Sequence, residues 1–183
     1  MRVYVGLGSN LLHPRRQLAR AVRALARLPR TRVVGVSGNY VSAPLDCPEP
    51  QPEFVNAVAA LETTLPPLGL LARLHAIERR QRRSAQRPRN APRTLDLDLL
   101  LYGRARLSHP RLVVPHPRMD VRAFVLRPLV DLSPRVTIPG RGLARAFLPA
   151  VRAQRIAPTR TLMTHRPRRL ASPWTSTSSA TSS

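Results

Sequence analysis

Apolar and polar positions change period several times along the chain, and the changes divide it into elements. Val3, Val5 and Leu7 alternate with Tyr4 and Gly6, which predicts a strand over 2–8, with GSN as a turn signal after it. His13-Pro14 opens a helix with Pro in a tolerated first-turn position. Leu18, Ala21, Val22, Leu25 and Leu28 recur at helical spacing. Arg15, Arg16, Arg20, Arg23 and Arg27 mostly take the other side, and Pro29 ends the run. RVVGVS at 32–37 predicts a second strand and FVNAVAALE at 54–62 a third. Between them runs a loop, 38–53, holding Pro44, Pro48, Pro50 and Pro52; a loop this long is more often functional than decorative. After Pro66-Pro67, Leu70, Leu71, Leu74 and Ile77 mark one face of a second helix. Residues 79–93 are irregular and rich in arginine, and TLDLDLLL at 94–101 predicts a fourth strand.

The order β-α-β-β-α-β predicts an α+β fold, a ferredoxin-like antiparallel sheet with helices on one side. Further elements extend it: a short strand and loop in RLVVPHP, a helix in VRAFVLRPLVDL interrupted by Pro, and a last helix over 141–150. The pattern gives one domain over 1–156 and a basic, then Ser/Thr-rich, disordered tail over 157–183.

Composition alters this picture in three ways. The chain has 183 residues, enough for one domain with a real core. Its N-terminus lacks the apolar segment of a secretory signal, and no stretch approaches membrane-spanning length, so a cytoplasmic location is expected. Cys47 is the single cysteine, which excludes an internal disulfide and a Cys-rich zinc site. A net charge of +22 raises nucleic-acid binding as a first idea. The chain has no lysine, which points to compositional bias toward arginine, and aromatics are only 4%, too few for base stacking. Nucleic acid is therefore not the expected partner; an RNA-binding module of the same topology is the alternative, and no aromatic-rich RNP stretch supports it.

Asp96 and Asp98 are the sharpest chemical feature. They stand at i and i+2 in an apolar strand, on one face, while Leu95, Leu97 and Leu99 take the other. Two carboxylates this close repel, so something cationic must offset them. Mg²⁺ fits, because it takes one or two carboxylates and completes its shell with phosphates and water; two neutralising arginines are the structural alternative. Arg79, Arg80, Arg82, Arg83, Arg87, Arg89 and Arg93 lie within fifteen residues and suit a polyanion. Aspartates beside phosphate-binding arginines suggest phosphoryl transfer. GLGSN at 6–10 reads by itself as a tight turn, since the third Rossmann glycine and the Walker A lysine are both missing. His116 near Arg118 and Arg122 is a candidate phosphate donor. Asn56 is a polar residue in an apolar strand, either a satisfied buried amide or a reader of a base-like edge. Phe54 and Phe124 are core residues or stacking partners for a flat heterocycle.

PRTLDLDLLLYG at 92–103 resembles the signature segment of the 6-hydroxymethyl-7,8-dihydropterin pyrophosphokinases. GLGSN, YVSAPL at 40–45, QPEFVNAV at 51–58 and VPHPRMDVRAFVLRPL at 114–129 resemble further blocks of that family, in order, across roughly residues 1–150. The resemblance implies the ferredoxin-like fold, two Mg²⁺ ions, and a reaction in which the hydroxymethyl oxygen of the pterin attacks the β-phosphorus of ATP and AMP leaves. It implies that Asp96 and Asp98 hold the metals and that Arg83, Arg93 and Asp98 are catalytic. Glu78, Arg93, Leu99, Arg111, His116 and Arg122 would contact ATP. Ser42, Ala43, Pro44, Leu45, Phe54, Asn56 and Phe124 would bind the pterin. Apart from the resemblance, a monomer is the default expectation, and no membrane or nucleic-acid partner is expected. The arginine loop departs from the family pattern: Arg82 stands where members commonly carry Gly and Ala85 where they carry a second arginine. A catalytically weak member that only binds ATP and pterin is the reading these departures leave open. Pro117 stands where some members carry Tyr.

Overall fold

The computed structural model describes residues 1–45, 50–81 and 92–159. Arg2–Ser9 forms β1, whose strict alternation buries Val3, Val5, Leu7 and Ser9. Pro14–Leu25 forms α1 and Thr31–Val36 forms β2. Tyr40–Ser42 is a short β3, Phe54–Thr63 is β4, and Pro67–Arg80 is α2. Asp96–Tyr102 is β5. Leu107–His109 and Leu112–Val114 form a hairpin, β6 and β7. Ala123–Leu132 forms α3, and Thr137–Ile138 and Gly142–Leu143 pair as β8 and β9. A 3-10 helix spans Ala144–Val151, and Ile156–Pro158 is β10.

The main sheet runs β10-β3-β4-β1-β5, with β2 also paired to β4, and every pairing is antiparallel. β4 is long enough to hold β3 along its first residues and β2 along its last. On one face, Leu18, Ala21 and Leu25 of α1 and Leu70, Leu74 and Ile77 of α2 pack on Val3, Val5, Leu7, Leu97 and Leu99. On the other face, Val125, Leu126 and Leu129 of α3 pack with Val58, Leu100, Met119 and Val151. The expectation of helices on one side holds for α1 and α2; the C-terminal elements cover the second face. Alternation along β5 sends Leu99 into the first core and Leu100 into the second. Val5 opposes Leu99 and Tyr4 opposes Leu101, so Leu100 is an extra, bulged residue, and the adjacent Leu100 and Leu101 both join the second core.

Four sequence expectations need correction. The loop over 38–53 contains β3, because Tyr40, Val41 and Ser42 find hydrogen-bonding partners on both sides. GLGSN is not a turn: Gly6, Gly8 and Ser9 are all within β1. The last predicted helix is a 3-10 helix with Pro149 inside it. The fourth strand begins at Asp96 rather than Thr94. In addition, β10 runs past the boundary expected at 156, because Ala157 and Pro158 pair with Val41 and Tyr40.

Candidate active site

Strand register assembles the site. Asp96 stands opposite Gly8, Gly8 opposite Asn56, and Asn56 opposite Tyr40, so these four form a row across the sheet. In the next row Asp98 stands opposite Gly6 and Gly6 opposite Val58. Side chains in a row share a face, and Val58 places this face under α3. Gly8 leaves a lane between a carboxylate and an amide. A Cβ there would lie 3.4 Å from Asn56 Oδ1 and 3.9 Å from Asp96 Cβ.

The carboxylates are embedded in a fixed network. Arg93 Nη1 donates to Asp96 Oδ2 at 2.6 Å. The Arg93 backbone is held in turn by Asn10: its N–H donates to Asn10 Oδ1 at 2.8 Å, and its carbonyl accepts from the Asn10 N–H at 3.1 Å. Asn10 Nδ2 donates to Gln51 Oε1 and to the Pro52 carbonyl, so one buried amide ties the end of β1 to two loops. Glu78 of α2 is 2% exposed, and its Oε1 accepts the N–H of Leu97, between the two aspartates, at 2.8 Å. β5 is an edge strand, and Glu78 covers that N–H where a further strand would otherwise do so.

Burial, the Asp96 charge and the Glu78 charge push the Asp98 carboxyl up to about 7, against the opposing field of Arg122 and Arg93. His116 is pushed down to about 4, by burial first and by Arg122 second, so its imidazole is neutral at pH 7. Its Nδ1 accepts from the Arg118 N–H at 3.2 Å, which leaves the proton on Nε2 as a donor. The Arg122 guanidinium lies 5.4 Å from the centre of the Phe124 ring.

A cavity of about 50 Å³ lies beyond this network. Ser42, Ala43, Pro44 and Leu45 line it from the end of β3, Ala123 and Phe124 from the start of α3, and Gln154, Arg155 and Ile156 from the C-terminal segment. Asn56 Nδ2 donates to Ser42 Oγ at 2.9 Å, which links the Asp96–Gly8–Asn56 row to the cavity wall.

A family model described as 7,8-dihydro-6-hydroxymethylpterin-pyrophosphokinase (HPPK) matches residues 4–134. The chain belongs to this family. It is a pyrophosphokinase. It is 57% identical over 143 residues to the 2-amino-4-hydroxy-6-hydroxymethyldihydropteridine pyrophosphokinase of Pseudomonas aeruginosa, covering 78% of this chain and 87% of that one. It is 46% identical over 136 residues to the enzyme of the same name from Haemophilus influenzae, covering 74% and 84%. Among solved structures, wild-type HPPK-DHPS of Plasmodium falciparum with pteroate superposes with a TM-score of 0.62 at 12% identity, over 80% of this chain and 43% of that one. An HPPK-DHPS in complex with substrates superposes with a TM-score of 0.65 at 11% identity, over 81% and 43%. At these identities the structural likeness speaks for the α+β fold, and the chain spans less than half the length of either structure.

In this pyrophosphokinase the residues expected at the site are not all brought together. Asp96, Asp98, Arg93, Glu78, His116 and Arg122 form one hydrogen-bonded and electrostatic neighbourhood. Arg93 on Asp96 and the Arg122 field on Asp98 also supply the structural neutralisation weighed from the sequence. Ser42, Ala43, Pro44, Leu45 and Phe124 line one cavity; Phe54 and Asn56 are outside its lining, on the strand beside Ser42 and Tyr40. Leu99 and Arg111 stand apart. The Leu99 side chain is 3% exposed in the core under α1 and α2, facing away from the aspartates, so only its backbone is left for a nucleotide. Arg111 is exposed in the turn of the β6–β7 hairpin, with its N–H on His109 Nδ1. Arg83, with Arg82, Ala85, Arg87, Arg89 and Cys47, lies outside the described residues.

Gly8, Asn10, Gln154, Arg155 and Ile156 were missed. The signal for Gly8 was present, since two glycines at i and i+2 in a strand strip one face of side chains. Asn10 and the C-terminal residues carry no local signal, because their partners are distant in sequence.

Proposed function

We propose that Asp96 and Asp98 form the catalytic end, and the Ser42–Leu45 and Phe124 cavity the pterin end, of a site transferring pyrophosphate from ATP to 6-hydroxymethyl-7,8-dihydropterin in folate biosynthesis. The observation that carries this assignment is the unobstructed row Asp96–Gly8–Asn56, which joins the carboxylates to the cavity wall at Ser42. The strand order β5-β1-β4-β2 supports the ferredoxin-like reading of the sheet, with β3 and β10 as additions. A domain ending with β10, a basic Ser/Thr-rich tail, a monomer and a cytoplasmic location complete the proposal. No helix among the described residues is long and apolar enough to cross a membrane.

In the reaction a bond forms between the hydroxymethyl oxygen and the β-phosphorus. The bond from that phosphorus to the oxygen bridging the α-phosphate breaks, the hydroxyl proton is released, and AMP leaves with the bonding electron pair. The donor set suits Mg²⁺: two hard carboxylates stand side by side, and burial and the Asp96 charge still raise Asp98 against the field of Arg122 and Arg93, a strain that a further cation would relieve. No group of three or more His, Cys, Asp or Glu that could hold a metal exists among the described residues, so phosphate oxygens and water would complete the shells of the two ions. Bound Mg²⁺ would offset charge on the phosphates. The chain itself orients the reactants: Arg93 and Arg122 present guanidinium groups, and His116 presents Nε2–H to a phosphate oxygen. Arg83, Glu78, Arg111 and the Leu99 backbone are assigned to ATP on the family resemblance. Asn56 reads the pterin edge, and Phe124 and Phe54 flank the ring.

The test is AMP formation from ATP, Mg²⁺ and the pterin, run beside Asp98→Ala. AMP that requires the pterin in the intact protein, and a loss of about a thousandfold or more in the variant, is expected. Activity retained in folded Asp98→Ala overturns the metal assignment. Binding of both substrates without AMP from the intact protein identifies the weak family member.

A further inference from the structure

Arg122 occupies the N-cap position of α3 in an extended conformation, at φ −120° and ψ 112°, and its side chain caps nothing. Arginine is a poor residue there, because a helix start leaves backbone N–H groups in need of an acceptor. The acceptor comes from far along the chain. Gln154 Oε1 takes the N–H of Ala123, the first residue of α3, at 2.8 Å. Gln154 Nε2 donates to the Val121 carbonyl at 2.7 Å. One carboxamide therefore holds the backbone on both sides of Arg122. Donor and acceptor are both required, and among side chains only an amide offers them in this fork.

The same segment reaches the opposite wall of the cavity. Two residues on, Ile156 pairs with Ser42, whose hydroxyl accepts from Asn56. Gln154, Ile156, Ser42 and Phe124 line one cavity. The segment thus sets the spacing between the wall that carries Phe124 and Arg122 and the wall that carries Ser42.

We propose that Gln154 is a positioning residue for pyrophosphoryl transfer, acting through Arg122 and Phe124. The proposal rests on the assignment of those two residues given above. By holding the N-cap from a distance, Gln154 frees that position for an arginine aimed at the reacting phosphates. A small displacement of such a group is costly, since misplacement by about 1 Å can lower a rate by roughly a hundredfold.

The experiment uses the full chain and the variants Gln154→Ala, Gln154→Glu, Arg122→Ala and the double variant Gln154→Ala with Arg122→Ala. Gln154→Ala should lower kcat/KM for the pterin by about tenfold or more while the far-UV spectrum is unchanged. Gln154→Glu keeps the acceptor for Ala123 but sets an oxygen against the Val121 carbonyl in place of the donor, so it should recover only part of the activity. In the Arg122→Ala background, Gln154→Ala should cost clearly less than it does in the parent, the remainder acting through Phe124, because residues acting as a unit are not additive. Full additivity, or unchanged kinetics in Gln154→Ala, overturns the positioning role. Unchanged kinetics in Arg122→Ala instead overturns the site assignment on which it rests.

Discussion

Asp98 and His116 sit in one electrostatic neighbourhood and are displaced from their ordinary values in opposite directions. Asp98 rises from 3.8 to about 7, and His116 falls from 6.5 to about 4. Between about pH 4 and 7 the folded protein holds a proton on Asp98 that the unfolded chain has lost, so this group lowers stability as pH rises. Between about pH 6.5 and 4 the unfolded chain binds a proton on His116 that the folded protein refuses, so this group lowers stability as pH falls. The two slopes offset each other over the shared window. In the metal-free protein, Asp98→Asn should leave a thermal midpoint that climbs from pH 4.5 to 6.5, and His116→Gln should leave one that falls. Parallel profiles in the two variants would contradict the assigned directions. That Asp96 and Asp98 share one face was legible in the sequence, because spacing of two in a strand settles the face without reference to any other residue. The protonation states were not, because burial and the charges of Glu78 and Arg122 arrive from other elements.

At the scale of elements, β1 does more than its burial pattern shows. Its odd positions Val3, Val5 and Leu7 fill the core under α1 and α2, while Gly6 and Gly8 face the aspartates across the pairing with β5. Gly8→Val should fill the lane between Asp96 and Asn56 while suiting a strand conformation. Turnover is expected to fall by about a hundredfold with a thermal midpoint near that of the parent, since the change obstructs the site rather than the core. Gly8→Ala should fall between the two. A fully active Gly8→Val would show that the reactants do not span this row. β3 and β10 teach the complementary lesson. Three residues carry too little periodicity to identify a strand, and both exist because each finds a pairing partner far away in sequence.

At the scale of the molecule, the chain carries a formal net charge of +22, and the proposed co-substrate is a polyphosphate. The summed field should draw ATP toward the protein and should weaken as salt shortens its range. kcat/KM for ATP is therefore expected to fall as KCl is raised from about 50 to 500 mM, with kcat at saturating ATP nearly constant. A flat dependence would show that the arginines face away from the approach path. The antiparallel sheet supports this site by dividing its labour. One face is sealed by α1 and α2 around an aliphatic core, and the other carries α3 and the residues proposed for the reaction.

The sequence by itself determined whatever depends on near neighbours. Periodicity marked β1, β4, β5, α1, α2 and α3, and the two-residue spacing put Asp96 and Asp98 on one side of a strand. The long, ordered blocks that resemble a family supplied the activity. Tertiary structure alone decided how distant segments meet. It made Gly8 a gap rather than a turn by setting it between Asp96 and Asn56. It sent Leu99 into the core, away from the reacting face. It brought Gln154 to the backbone on either side of Arg122, 31 residues from Ala123. Such contacts follow from register and packing, and a local stretch of sequence carries neither, because both depend on where the rest of the chain has folded.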